Sequence, residues 1–445
     1  MLTYTIRVLQ TPAGADPQAY SEGAGVNADG VAVGSVWDIG DPANPEGEAV
    51  IWPESVRPSV LDVPPPNTVG SAINDAADAV GYDWGNPIHP YFYRHDTGLM
   101  EDFSKRLPGP SSWPLDINND RIVTGMTGPG MFPSRPFLYE ADSGSATVLE
   151  PLPGHRYAIG QGINEAGHVA GWSGGTTDGE DRRAFIYRDG TMEDLGPVFH
   201  VRDVNNADVI VGTALVLPSP ITAFRLDASV KRPRPELLGH SAMPGYAANF
   251  GSAINDEGVV VGWSATAGPA NDRAFVDIPS GEDAGFHDLQ DVVVEADGWV
   301  LKWALGIGNN GHIVGVGTYQ GKSCGFLLTP APDYWLKKEF EKVREVLLGF
   351  LVIFGGATAG GPGWGLLPGG KPVPIDPHGP MRERWEQMTE AERDFYLGLA
   401  IQHLDSIVSG GERGEIVQKA GRQIVESARK ELESKAQEIK QRDRN

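Results

Sequence analysis

Cysteine is nearly absent. Cys324 is the sole one in 445 residues, so no disulfide can form within the chain and no Cys-x-x-Cys metal site exists. Its place just before the Gly-Phe of an apolar stretch suits a buried, inert thiol. Positive charge is scarce as well. Residues 1–330 hold 19 Lys and Arg against 41 Asp and Glu, so almost all of the chain's net −23 falls there. A surface so acidic repels phosphate backbones, which argues against nucleic acid as a partner. It favours solubility and could attract basic groups. Long apolar runs are missing: none approaches the roughly 18 residues of a spanning helix. Met1 to Leu9 alternate like a strand and lack the basic and apolar regions of a secretory leader, which sets the expectation of a cytoplasmic protein. The ten His show no H-E-x-x-H spacing, and no Asp cluster follows the D-x-D-x-D-G pattern. Neither metal nor cofactor is therefore expected.

Glycine and proline are plentiful, at 58 and 35 residues. At that density they punctuate many short strands. The strands recur. Seven segments share a small residue, a β-branched residue, Asn, and a Gly eight positions after the β-branched one. The β-branched column is Val26, Ile73, Ile117, Ile163, Val204, Ile254 and Ile307. The small column is Gly25, Ala72, Asp116, Gly162, Asp203, Ala253 and Gly306. Asn27, Asn74, Asn118, Asn164, Asn205 and Asn255 follow, with Gly308 the one departure. The later glycines are Gly34, Gly81, Gly125, Gly171, Gly212, Gly262 and Gly315. Repeats start 41 to 53 residues apart, the length of a four-stranded propeller blade.

Each column has a physical reason. Asn can bond its own backbone two residues on and so opens a tight turn. The small residue suits an inner strand crowded toward an axis. The constant Gly reads as a bulge or a close backbone approach. A third strand follows with an aromatic packing anchor, as in Tyr91-Phe92-Tyr93 and Ala184-Phe185-Ile186-Tyr187. A fourth follows a turn, as in Met100 to Phe103. The seventh repeat lacks its fourth strand. Val8 to Gly14 matches the fourth strand of the third repeat, Val148 to Gly154, in its Val-Leu start and its spacing to Gly. The expected fold is an all-β seven-bladed propeller over residues 1–330, closed by its N-terminal strand.

The run Gly-Ile-Asn-x-x-Gly-x-Val-x-Gly-Trp-Ser followed by Ala-Phe-Ile-Tyr, from Gly162 to Tyr187, resembles the HAF repeat. That family is described as a probable extracellular repeat of propeller type. The resemblance implies a propeller and an extracellular setting, and brings no catalytic residues.

Two motifs imitate active-site signatures. Gly171-Trp172-Ser173-Gly174-Gly175 matches G-x-S-x-G, but falls at the end of a repeat strand and not at a strand–turn–helix elbow. Gly365 to Lys371 matches a phosphate loop, but Pro372 stands where Ser or Thr would hold magnesium. A structural Gly/Pro connector is the expected reading.

The first turn of each repeat is constant in length, while the loop after the constant Gly varies. Variable loops on one face are where recognition would be written. They carry Trp37, Asp38, Asp83, Trp84, His89, Met131, Asp178, Glu180 and Asp181 as candidate binding residues. Trp beside carboxylates suits a protein partner, or a glycan in a lectin-like alternative. A propeller hydrolase or lyase is the third reading, though no carboxylates pair by spacing.

Beyond Ala331 the composition changes. Leu336, Phe340, Val343, Leu347, Phe350 and Phe354 form a helical stripe expected to dock. A Gly-rich connector runs to 371, and Pro372, Pro374, Pro377 and Pro380 read as a stiff linker to a helical module ending at 445. Packing with those helices, self-association and peripheral membrane contact through 346–370 are the expected sinks for the stripe.

Overall fold

The computed structural model describes residues 2–38, 46–53, 59–61, 67–130, 132–175, 181–215, 221–239, 246–265, 271–281, 283–331, 363–366 and 372–375. The chain divides into two units, Leu2–Ala331 and a second formed by Pro332–Asn445 with Met1. The first is a seven-bladed β-propeller. Its seven sheets are antiparallel meanders of four strands. The innermost strands are Tyr20–Val26, Thr68–Ile73, Ser111–Ile117, Tyr157–Ile163, His200–Val204, Ala248–Ile254 and Trp299–Ile307. Each touches the next around the ring, and the seventh touches the first.

The N-terminus closes the ring as expected. Tyr4–Leu9 is the outermost strand of the seventh blade and pairs antiparallel with Lys322–Pro330, Val8 opposite Phe326. Val148 stands opposite Phe137 in the third blade, so the Val-Leu match marks equivalent register positions. Leu9 is fully buried, and its carbonyl accepts from the Ser21 hydroxyl of the first blade. The Trp52 indole donates to the Gln10 carbonyl at 2.7 Å. The closing strand is thus tied to the first blade as well as to its own, and the edge of Lys322–Pro330 is covered.

The constant Gly marks a close approach. A Cβ at Gly34 or Gly81 would stand 1.9 Å from the carbonyl oxygen of Glu22 or Val69, and at Gly171 2.0 Å from that of Ile159. The bulge lies across from it, on the innermost strand. There an extra residue interrupts the register of every blade, such as Ala24 between Gly23 and Gly25 or Arg202 between Val201 and Asp203, and the seventh blade has two such interruptions.

The Asn column does two jobs. Its Oδ1 accepts from the backbone N–H four residues on, as Asn27 does from Val31 at 2.9 Å and Asn164 from His168 at 3.0 Å. Its Nδ2 donates to the Asn carbonyl of the next blade. Those bonds run from 27 to 74, 118, 164, 205 and 255 at 3.0–3.2 Å. Gly308 breaks the column because a Cβ there would lie 2.6 Å from the Asn27 carbonyl oxygen. Asn310 bridges that junction by donating to Ala28 O at 3.0 Å.

The aromatic anchors Phe92, Phe137, Phe185, Phe224, Phe275 and Phe326 are buried, and the apolar clusters span neighbouring blades. Ion pairs add to the blade contacts: Arg121 to the fully buried Asp78 at 2.7 Å, and Arg225 to Asp277 at 2.6 Å. The core therefore lies between sheets around the ring.

In the second unit, Gly363–Leu366 pairs antiparallel with Pro372–Ile375. The segment read as a connector and the start of a linker is a hairpin. Trp364 stands opposite Pro374, and Leu366 opposite Pro372. A two-stranded ribbon always has a free edge, and such an edge tolerates a residue without N–H. The expected helices, with Leu336, Phe340, Val343, Leu347, Phe350 and Phe354, lie outside the described residues, so the helical module is not part of the described fold. Among the described residues no helix is long and apolar enough to cross a membrane.

Candidate functional site

The loop face contains a built patch in the second blade. Asp83 ends the strand Ala79–Asp83 and is 3% exposed. Its Oδ1 accepts from the backbone N–H groups of Gly85 at 3.0 Å and His89 at 2.9 Å. Its Oδ2 lies 3.0 Å from His89 Nδ1. One carboxylate thus shapes the loop and orients the imidazole. Trp84, held between them, is 56% exposed. Its ring meets Tyr82 edge-on at 5.7 Å between centroids, and its backbone N–H donates to the Asn67 carbonyl at 2.7 Å.

Trp37 behaves differently. It is half-buried, packs over Gly47 where no Cβ intrudes, and its indole donates to Glu22 Oε2 at 2.8 Å. Burial raises the Glu22 carboxyl above its ordinary range, while the indole N–H pulls it partly back. Trp37 and Trp84 are nonetheless linked. Asn67 Oδ1 accepts from Gly47 N–H at 3.1 Å, and the Asn67 carbonyl accepts from Trp84. Asp38 is exposed at the end of its strand. Asp181 accepts from Gly175 N–H at 2.8 Å and shapes its own loop. Met131, Asp178 and Glu180 lie outside the described residues. So Asp83, Trp84 and His89 come together, Trp37 and Asp38 lie in the neighbouring blade, and Asp181 belongs to the fourth.

Ser173 of the G-x-S-x-G lookalike is fully buried. Its hydroxyl donates to Tyr157 O at 3.1 Å and accepts from Leu152 N–H at 3.2 Å, with His155 Nδ1 2.9 Å away. A hydroxyl spent in this way braces the blade and is closed to substrate. Lys371 is followed by a strand and not by a helix N-terminus, so the phosphate-loop lookalike lacks its anion cradle. Cys324 is half-buried, less than the sequence suggests, and burial pushes its thiol up to about 11.

The axis holds a second feature. A channel of about 350 Å³ is lined by the ends of the innermost strands and the first turns, on the face opposite the variable loops. Its mouth carries Asp75, Asn119, Glu165, Asn206, Asp256 and Asn309, each accepting a backbone N–H from the preceding blade at 2.8–3.0 Å. Deeper lie Asp116 and Asp203, the two departures in a column of Gly and Ala. Asp116 accepts from Ile117 and Ile163 N–H, both at 2.8 Å; Asp203 accepts from Val204 at 2.7 Å and Ile254 at 2.9 Å. Each ties its blade to the next. Burial, with Asp203's charge, raises Asp116 well above the carboxylate range, and burial raises Asp203 to about 6.

The bulged residues Ser71, Gln161, Arg202 and Ser252 also line this channel. They sit two positions before the β-branched column. That position is the one signal in the sequence that marks them: it varies freely beside columns that do not.

No family model matches the chain, and no curated protein matches it. Solved propellers do. The β-propeller domain of the Trilobed protease from Pyrococcus furiosus is 10% identical over 70% of this chain and 97% of that one, at a TM-score of 0.48. Virginiamycin B lyase from Staphylococcus aureus is 12% identical over 74% and 99%, at 0.44. An oligogalacturonate lyase in complex with manganese is 13% identical over 75% and 98%, at 0.47. Likeness at this level carries no argument about activity. Among the described residues, no three His, Cys, Asp or Glu are grouped to hold a metal.

Proposed function

We propose that this chain is a non-enzymatic binding propeller that recognises a protein partner through its variable-loop face, with Trp84 at the centre of contact. The observation that carries this reading is an exposed indole fixed on a loop whose carboxylate is wholly spent inside the loop. A side chain already ordered loses little entropy on binding, and Trp is the residue type most often found at interface hot spots. The acidic balance of residues 1–330 favours a partner presenting basic groups, and would speed its approach. Ser173 is sealed, and Asp116 and Asp203 are tied to backbone N–H groups, which speaks for binding over hydrolysis or lyase chemistry. A lectin-like role draws support from Trp84 as a stacking surface. It is weaker because both Asp83 oxygens are already engaged and not free to read sugar hydroxyls. The HAF-repeat resemblance agrees with a binding role, and the apolar stripe from Leu336 to Phe354 would serve docking or assembly.

Trp84→Ala tests the reading beside Leu99→Ala, an exposed apolar control elsewhere in the same blade. Quantitative capture should find a protein held by the wild type and Leu99→Ala and reduced at least about tenfold by Trp84→Ala. Equal retention on all three would overturn the reading. Trp84-dependent binding on a glycan array would replace it with the lectin role.

A further inference from the structure

One guanidinium on the loop face has no acid. Arg182 ends the variable loop of the fourth blade, just before the strand Arg183–Arg188, and is half-buried. Its Cζ lies 4.3 Å from the centre of the buried Trp172 ring and 5.6 Å from that of Phe199. Nη1 is spent: it donates to Phe199 O at 3.3 Å and to His200 Nε2 at 2.6 Å. The opposite edge is not. Nε is buried with no acceptor, and Nη2 has none among the described residues. The carboxylates near it in sequence serve elsewhere. Asp181 accepts from Gly175 N–H, and Asp194 pairs with Arg183 at 2.7 Å. Arg94, Arg121, Arg188 and Arg225 all hold carboxylates as well. In a domain with 41 Asp and Glu, an ordered arginine left without one stands out. Two rings already hold the group in place, so little freedom is lost when its open edge is filled.

That edge selects the ligand. Nε–H and Nη2–H lie side by side in one plane, the fork that takes the two oxygens of a carboxylate. The site offers one full positive charge. His200 is neutral near pH 7, because burial, Arg202 and Arg182 lower it to about 4. A monoanion therefore matches the site, while a dianion would meet the repulsion of the acidic domain with nothing to offset its second charge. The groups beside the guanidinium are apolar. Leu195, Val198 and Phe199 are half-buried, and the first two pack on the cluster that holds Trp172 and Val201. The Phe199 and His200 rings lie 4.5 Å apart. We propose that the junction of the fourth and fifth blades binds a small aromatic carboxylate on the loop face, its carboxylate on the Nε and Nη2 edge of Arg182 and its ring against Phe199. Trp84 belongs to the second blade, so this site does not depend on the contact centred there.

Calorimetry on the full chain tests this with benzoate and phenylacetate, with the amide of each as its uncharged match, and with acetate and inorganic phosphate. At least one aromatic acid should bind saturably, and its amide, acetate and phosphate at least about tenfold more weakly. Arg182→Gln should lose at least about tenfold in affinity, and Arg182→Lys, which keeps the charge without the fork, should lose most of that as well. Arg183→Gln removes the same charge one residue away and should stay within about twofold of wild type. Circular dichroism melting checks that each variant folds; if neither Arg182 variant does, the ratio of acid to amide decides. No saturable binding of either aromatic acid up to about 50 mM would overturn the proposal. So would an amide or phosphate binding as tightly as the better acid, or equal losses in Arg182→Gln and Arg183→Gln.

Discussion

Gly171 and Gly190 show why one residue type has two meanings in this fold. At Gly171 the backbone is ordinary, but a Cβ would lie 2.0 Å from the Ile159 carbonyl oxygen. At Gly190 nothing lies within 4 Å, but φ is +76°. Gly171→Ala must push two strands apart and should cost about 3 kcal/mol or more, toward the upper end for overpacking. Gly190→Ala meets only the strain of the left-handed backbone, about 1 kcal/mol. Urea melts of both variants check the ranking. Charge acts residue by residue too. Asp203 is raised to about 6, so the folded state holds a proton that the unfolded chain releases near 4, and its contribution to stability falls as pH rises through that interval. His200 is lowered to about 4 by burial, Arg202 and Arg182, so its contribution is lost as pH falls from about 6.5. The two slopes oppose. Asp203→Ala, which installs the residue that the second and sixth blades carry, should steepen the gain in melting temperature between about pH 4 and 6. His200→Gln should flatten or reverse it. Sequence alone shows that Asn opens each turn, because that bond is local. It does not show the Nδ2 bond, whose partner lies 41 to 50 residues away. For the same reason Trp37 and Trp84 look alike in sequence; Glu22, which takes the Trp37 N–H, is on another strand.

At the scale of elements, strand order and closure are legible because each strand brings its own marker. The Val-Leu of Tyr4–Leu9 carries enough register information to place it opposite Phe326. The bulges are not legible. A bulge shifts the alternation by one residue, but in a run as small-sided as Gly23-Ala24-Gly25 the shift leaves no apolar contrast to read, and only the partner strand reveals the count. That is why nothing local marks Arg202 and Gln161 as channel residues, although both stand in a fixed repeat position. The hairpin of Gly363–Leu366 and Pro372–Ile375 is hidden by its prolines, which suggest a linker unless the strand is an edge. The loop-face patch is half legible. Asp83, Trp84 and His89 are near in sequence and group together, but the burial of Asp83 follows from the loop folding back onto it. Asp83 supports the loop for that reason and does not offer a contact.

For the whole molecule, closure is what makes seven weak blades one stable object. A lone four-stranded blade buries little on its own, and each innermost strand relies on both neighbours. The hydrogen bonds passed from Asn to Asn and from turn to turn carry that dependence around the axis, and the pairing of Tyr4–Leu9 completes it. Deleting residues 1–14 removes the buried Tyr4 and Leu9 and exposes the edge of Lys322–Pro330. Burial of two such side chains contributes at least about 3 kcal/mol, before the ladder is counted. The most direct measurement of the account is therefore the melting temperature of the chain lacking residues 1–14, with and without a synthetic peptide of residues 2–14. The account predicts a clear loss in melting temperature with aggregation, and recovery on adding the peptide but not a scrambled one. A truncated chain that melts like the intact protein, or one that the peptide leaves unchanged, would contradict the closed ring.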